Sequence, residues 1–209
     1  GTVIQEDRKS GNEQSANFYL NGPLSDALSL QVYGQYTQRN EDDIPHGYED
    51  KSLQSLTSKL TYHLNDRHSF QLEGGTSAQD RRGNVGHSVP TSGCRGECED
   101  SENEYRRNYV ALSHSGDWQE WGYSETYLQR EDSRNKSRKM EIENTTFKSS
   151  LVTTLSSHVL TTGIEATHAK LNDETSNEAS SQSKISNSQW ALFVEDEWTI
   201  IDPFSLTLG

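Results

Sequence analysis

Apolar and polar residues alternate along most of this chain, and no stretch sustains the 3.6-residue stripe of an amphipathic helix. Leu28, Leu30, Val32 and Tyr36 fall on one face of an extended segment, with Ser29, Gln31, Gln35 and Thr37 on the other. Leu56, Leu60, Tyr62 and Leu64 oppose Thr57, Lys59, Thr61 and His63, and Phe70 and Leu72 oppose Gln71 and Glu73. Further on, Phe147, Leu151 and Leu155 share a face, while Leu160, Ile164 and Ala166 stand against Thr161, Gly163 and Glu165. Side chains of a strand change face at every residue, so each of these segments has one apolar and one wet face. The pattern predicts an antiparallel sheet of about ten or eleven strands.

The connections come in two lengths. Short, turn-rich links occur at 21–26, 65–68, 115–117 and 201–203, with 156–157 a weaker example. Gly, Pro, Asn and Asp supply the backbone angles that tight turns need. Long polar links run over 39–52, 79–103, 131–143 and 171–188. In an up-and-down sheet alternate connections lie at the same end, so the short turns fall on one rim and the long links on the other. Outer-membrane β-barrels have this layout.

Composition changes the picture twice. The chain has 209 residues, a net charge of −13 and 30% hydrophobic residues, with a mean hydropathy of −0.94. Such values by themselves point to disorder, and the acidity argues against a nucleic-acid partner. Nine Tyr, four Trp and many strand formers point the other way. A wide barrel reconciles the two, because half of every strand faces a polar lumen. No run of ~18 apolar residues exists to form a membrane helix. Tyr33, Tyr36, Tyr62, Trp118, Trp121, Tyr123 and Trp198 lie near strand ends, where interfacial aromatic girdles belong. A soluble β-sandwich adhesin or lectin-like module shares the alternation and stays open on pattern alone.

Three stretches carry a family resemblance. Thr2-Val3-Ile4-Gln5-Glu6, followed by Asn17-Phe18-Tyr19-Leu20-Asn21-Gly22-Pro23-Leu24, resembles the first barrel hairpin of TonB-dependent outer-membrane receptors. Arg106-Arg107-Asn108-Tyr109, with Ser113-His114-Ser115-Gly116-Asp117-Trp118 after it, resembles an R-x-N-Y strand of the same group. The stretch from Ser188 to Trp198, SQWALFVEDEW, is similar to a strand of the colicin I receptor and its catecholate-siderophore-receptor relatives. The resemblance covers nearly the whole chain and implies the fold: an all-β, antiparallel, up-and-down transmembrane β-barrel. Residues 1–209 would be the N-terminal half of a barrel of about 22 strands, with the plug domain and remaining strands absent. It also implies residence in the bacterial outer membrane and capture of a ferric siderophore, with passage driven by the TonB inner-membrane complex acting through the missing N-terminal segment. Outer-membrane lipid and lipopolysaccharide are implied neighbours, and colicins or phage possible ones. A passive porin is the competing membrane reading.

Ferric catecholates are anionic, and an Arg fork suits oxyanions and stacks on rings. Candidate ligand-binding residues are Arg81 and Arg82 entering the longest link and Tyr105, Arg106 and Arg107 leaving it. Arg130, Arg134 and Arg138 belong, with Lys136 and Lys139, to the most basic stretch. The alternative for each is an ion pair with a neighbouring acid, a solvated loop position, or contact with lipopolysaccharide phosphates. Glu41, Asp42, Asp43, Glu49 and Asp50 crowd one link and Glu97, Glu99, Asp100, Glu102 and Glu104 another, so an anion would not be met by the loops indiscriminately. Carboxylates could take a divalent cation, but EF-hand spacing is missing.

Cys94 and Cys98, the only cysteines, read as a local disulfide in a polar loop of an exported protein. Zinc would need two further ligands, of which only His87 is near, and no metal site is expected. The seven His are scattered, and no nucleophile elbow, HExxH or Gly-rich phosphate loop is present, so neither a catalytic residue nor a cofactor is expected.

Overall fold

The computed structural model describes residues 2–4, 11–174 and 184–209. Among them, eleven strands form one sheet in which every strand pairs antiparallel with its neighbour in sequence. The strands are β1 (Thr2–Ile4), β2 (Glu13–Pro23), β3 (Leu28–Arg39), β4 (Asp50–His63), β5 (His68–Gly83) and β6 (Ser101–Asp117). After a single 3-10 turn at Gln119–Trp121 come β7 (Tyr123–Asn135), β8 (Met140–Leu155), β9 (His158–Asp173), β10 (Lys184–Ile201) and β11 (Phe204–Leu208).

The register turns the sequence alternation into two continuous surfaces. Gly22, Leu30, Leu60, Leu72, Leu112, Leu128, Phe147, Ala166 and Trp190 stand opposite one another in succession across β2 to β10. One residue away, Ser29, Thr61, Gln71, Ser113, Tyr127, Lys148, Glu165 and Ala191 make the matching row on the opposite face. A slip of one residue in any pair would exchange the faces, so the apolar row specifies the register. The row begins near the start of β3 and crosses β10 far from its turn end. Pairing is therefore staggered in the sense that a closed, tilted barrel wall requires.

The described residues form no conventional core. Ala111 is the only buried hydrophobic residue among those described, while Leu72, Leu112, Leu128 and Leu192 stay 46–67% exposed to solvent. The apolar face is therefore built to meet something other than another layer of this chain. Three glycines let rings lie flat on the sheet. Gly34, Gly75 and Gly163 stand directly opposite Phe18, Tyr109 and Phe193, and a Cβ at any of the three would overlap the ring across the ladder.

The two rims are as expected, with two corrections. Links 24–27, 64–67, 156–157 and 202–203 are short and share one rim with link 118–122, where β6 continues through 115–117 before turning. At the other rim the strands rise further than the alternation indicates, because the upper ladder is held by charged and polar pairs that carry no hydrophobic signal. The expected long link over 131–143 is mostly strand and closes in the four residues 136–139. Arg134 with Glu141 and Arg130 with Glu143 extend the β7–β8 pairing there. Gln5 and Glu6 of the opening stretch, and 175–183 of the last long link, lie outside the described residues.

Candidate functional site

The long links and the strand tops below them form the loop rim. The link before β4 and the link before β6 are tied together although two strands separate them. The Glu41 carboxylate accepts from the Asn84 backbone N–H (2.5 Å) and side-chain amide (2.6 Å), and from the Ser88 hydroxyl (2.6 Å) and N–H (3.2 Å). The His46 N–H donates to the Ser88 carbonyl at 2.7 Å, and His87 Nδ1 pairs with Asp43 at 2.7 Å. Burial opposes ionisation of Glu41, but the Ser88 and Asn84 donors outweigh it and hold the carboxyl down from 4.5 to about 2. The Asp43 hydrogen bond raises the His87 pKa above its ordinary 6.5. Much of the acidic content of these links is therefore structural.

Within the second link Cys94 and Cys98 form a disulfide, with Cα atoms 5.4 Å apart. Gly96 inside the ring has φ of 103°, a left-handed conformation that closes so short a loop without a Cβ penalty.

The candidate cations lie on strands, with Arg138 alone in a turn, and they are divided between the two faces. Arg82, Arg106, Arg130 and Arg134 continue the apolar face upward, and each meets a carboxylate. Arg82 pairs with Glu102 at 3.0 Å, Arg106 with Asp80 at 2.7 Å, Arg130 with Glu143 at 3.2 Å and Arg134 with Glu141 at 2.7 Å. These four are cross-strand ties. Arg107 lies on the polar face but is engaged by Glu131 through two bonds of 2.7 and 2.9 Å. The Arg138 backbone N–H caps the turn on the Asn135 side chain at 3.0 Å.

Arg81 and Tyr105 remain, both on the polar face. The ladder places Arg81 opposite Lys51, and Lys51 opposite Arg39. Three successive strands thus present a cation at one level, with Asn103 continuing the row on β6 and Glu13 beginning it on β2. None of the three forms an ion pair with a described residue. The Arg39 guanidinium lies 4.5 Å from the centre of the Tyr48 ring, and its Nε donates to the Glu49 carbonyl at 3.4 Å. One level below, Leu53, Gln79, Tyr105 and Asn135 continue the same face. Like charges directly opposite in a ladder are unfavourable, so this row is an arrangement that an anion would stabilise. Arg39 and Lys51 were invisible in the sequence because they sit far from Arg81 in the chain, and only the register brings the three together.

A family description, "TonB dependent receptor-like, beta-barrel", matches residues 3–209. Over 208 residues the chain is 62% identical to the "Iron-regulated outer membrane virulence protein" of Vibrio cholerae, covering all of this chain and 32% of that protein. It is 30% identical over 153 residues to the "Ferric enterobactin receptor PirA" of Pseudomonas aeruginosa, covering 64% of this chain and 20% of that one. The crystal structure of the siderophore receptor PirA from Pseudomonas aeruginosa superposes with a TM-score of 0.76 at 26% identity, over 98% of this chain and 34% of that structure. The chain thus spans about a third of the length of the relatives it matches most fully. The PirA relatives are named as receptors, and an outer-membrane setting explains an apolar face that no layer of the described residues covers. With its barrel wall, two-rim layout and match over nearly every residue, the chain belongs to the TonB-dependent receptor β-barrel family of the bacterial outer membrane.

Proposed function

We propose that this chain is the N-terminal half of the barrel of a receptor for ferric siderophore, of the catecholate type. A plug and the remaining strands would come from the rest of the protein, and TonB would supply the energy for transport through the plug. The colicin I receptor and catecholate-receptor likeness of Ser188–Trp198 supports the subgroup. The observation that carries the ligand class is the inward row of Arg39, Lys51 and Arg81, cations without carboxylate partners among the described residues. Tyr105 lies one level below, with a ring available to stack on an aromatic chelator. A ferric catecholate offers a delocalised negative charge and flat rings, and this surface offers the complement to both. The chain's own part is to hold the cations at the lumen mouth, where water is displaced by the ligand and each charge-assisted bond strengthens. No catalytic group, metal or cofactor is needed for that role, since iron arrives as cargo. Colicins or phage would use the outer loop surface.

The test is uptake and equilibrium binding of labelled ferric enterobactin by the intact receptor. Arg39→Gln, Lys51→Gln and Arg81→Gln together are expected to weaken binding by at least about tenfold, equivalent to about 1.4 kcal/mol. Arg106→Gln, a cross-strand tie, is expected to stay within about twofold. Unchanged binding by the triple variant would reject the row as the capture surface. A passive porin would instead pass solutes without regard to TonB.

A further inference from the structure

The inner cation row stands free of ion pairs although carboxylates lie close by in the chain. Glu41 follows Arg39 by two residues, and Glu49 precedes Lys51 by two. Residues two apart in an extended chain share a face and stand about 7 Å apart, within reach of long side chains. The chain is still extended just beyond Arg39, because the Asn40 N–H donates to the Asn12 carbonyl at 2.9 Å. Arg39 could therefore pair with Glu41 along its own chain, and Lys51 with Glu49. Neither cation forms an ion pair with a described residue.

Segment 84–89 is what engages Glu41 instead. It is a compact turn, with the His87 N–H on the Asn84 carbonyl at 3.1 Å and the Gly86 N–H on the Val89 carbonyl at 2.9 Å. It folds back over the inner face of the sheet. Gly83 lies two residues above Arg81 on that face, and a Cβ there would meet Ser88 Oγ at 2.7 Å and Val89 Cγ2 at 3.1 Å. Ser88 is buried in this position, so its hydroxyl and N–H need an acceptor. Glu41 Oε1 accepts from both and from the Asn84 N–H, and Oε2 accepts from the Asn84 amide. Ser101, opposite Gly83, donates in turn to Glu49 at 3.3 Å. With its carboxyl at about 2, Glu41 is charged at physiological pH.

We propose that Asn84 and Ser88 are positioning residues for ligand capture: they hold the Glu41 carboxylate away from Arg39, Lys51 and Arg81 and so keep this row charged for an anionic chelate. The inference rests on reading the row as the capture surface. A carboxylate that already accepts four hydrogen bonds gains little by turning to a cation. Stripped of those donors, it would swing down to Arg39, the nearest cation in the chain, and cancel one charge of the row. The two links thus act on the ligand indirectly, by deciding where one negative charge sits.

The experiment measures equilibrium binding of labelled ferric enterobactin to the intact receptor. Asn84→Ala/Ser88→Ala is expected to weaken binding about tenfold, because the released Glu41 neutralises part of the row. Adding Glu41→Gln to that variant is expected to restore binding to within about twofold of the wild type, since the competing charge is gone. A role confined to loop shape predicts no such rescue. Unchanged binding by Asn84→Ala/Ser88→Ala overturns the proposal, and so does weakened binding that Glu41→Gln fails to restore. Arg39→Gln/Lys51→Gln/Arg81→Gln separates the two levels. If it weakens binding while Asn84→Ala/Ser88→Ala does not, only the role given to Asn84 and Ser88 falls. If neither weakens binding, the row itself is not the capture surface. Heat-modifiable gel migration verifies folding, and where the double variant does not fold, Ser88→Ala with and without Glu41→Gln makes the same comparison.

Discussion

At the residue scale, composition said least about which charges matter. The chain is strongly acidic, yet Glu41 is a hydrogen-bond hub, and Asp43 serves His87. Conversely, most of the arginines that a sequence reading would give to a ligand are consumed by acids across a ladder. The Glu41 and His87 pair has a pH signature that can be worked out. Glu41 has a folded pKa below its unfolded value, so it stabilises the loop contact above about 4.5 and the contribution fades as pH falls toward about 2. His87 has a raised folded pKa, so its contribution is complete below 6.5 and is lost as pH rises through the folded value. The tie between the two links is therefore strongest in the mildly acidic range between these windows. Limited proteolysis within 84–100 is expected to be slowest there and to accelerate on both sides. His87→Ala should remove the alkaline-side change and Glu41→Ala the acidic-side one. A cleavage rate independent of pH between about 2 and 8 would show that the contact does not govern this loop.

At the element scale, alternation marked the apolar crossing of β3, β4, β5, β8 and β9, and it was blind above that layer. The β7–β8 hairpin shows why. Its lower half is written in Leu128, Phe147 and Leu151, but its upper half is written in Arg130, Arg134, Glu141 and Glu143, residue types that a sequence pattern assigns to loops. Their partnership depends on which residues stand opposite, and hence on register. Exposed pairs of this kind contribute about 0.2–1 kcal/mol each. Replacing Arg130 and Arg134 with Gln in the intact receptor is therefore expected to raise amide exchange above about Glu131 on β7, leaving the lower hairpin protected. Uniform loss of protection along both strands would instead assign these pairs a global role. The Gly–aromatic pairs taught a similar lesson. Phe193 belongs to the most recognisable stretch of the chain, but its place over Gly163 of β9 is a fact of pairing.

For the whole molecule, the low hydrophobic content that reads as disorder is the arithmetic of a two-faced wall with almost no buried core. Such a surface is stable only against lipid or its substitute. The 209-residue chain by itself is expected to require detergent or lipid to stay monodisperse in analytical ultracentrifugation, and monodispersity in plain buffer would contradict the lipid-facing assignment of the apolar row. The sequence by itself determined the all-β class, the antiparallel order and the two rims, because period-2 alternation and turn chemistry are local properties of the chain, while the family was carried by the resemblance of three particular stretches. Tertiary structure alone decided which cations have no ion-pair partner among the described residues. Arg39, Lys51 and Arg81 form one inward row, while Arg82, Arg106, Arg130 and Arg134 are spent on acids facing the other way. The reason is geometric: a strand's periodicity assigns a residue to a face, but its neighbours on that face come from other strands, and only the hydrogen-bonded register says which.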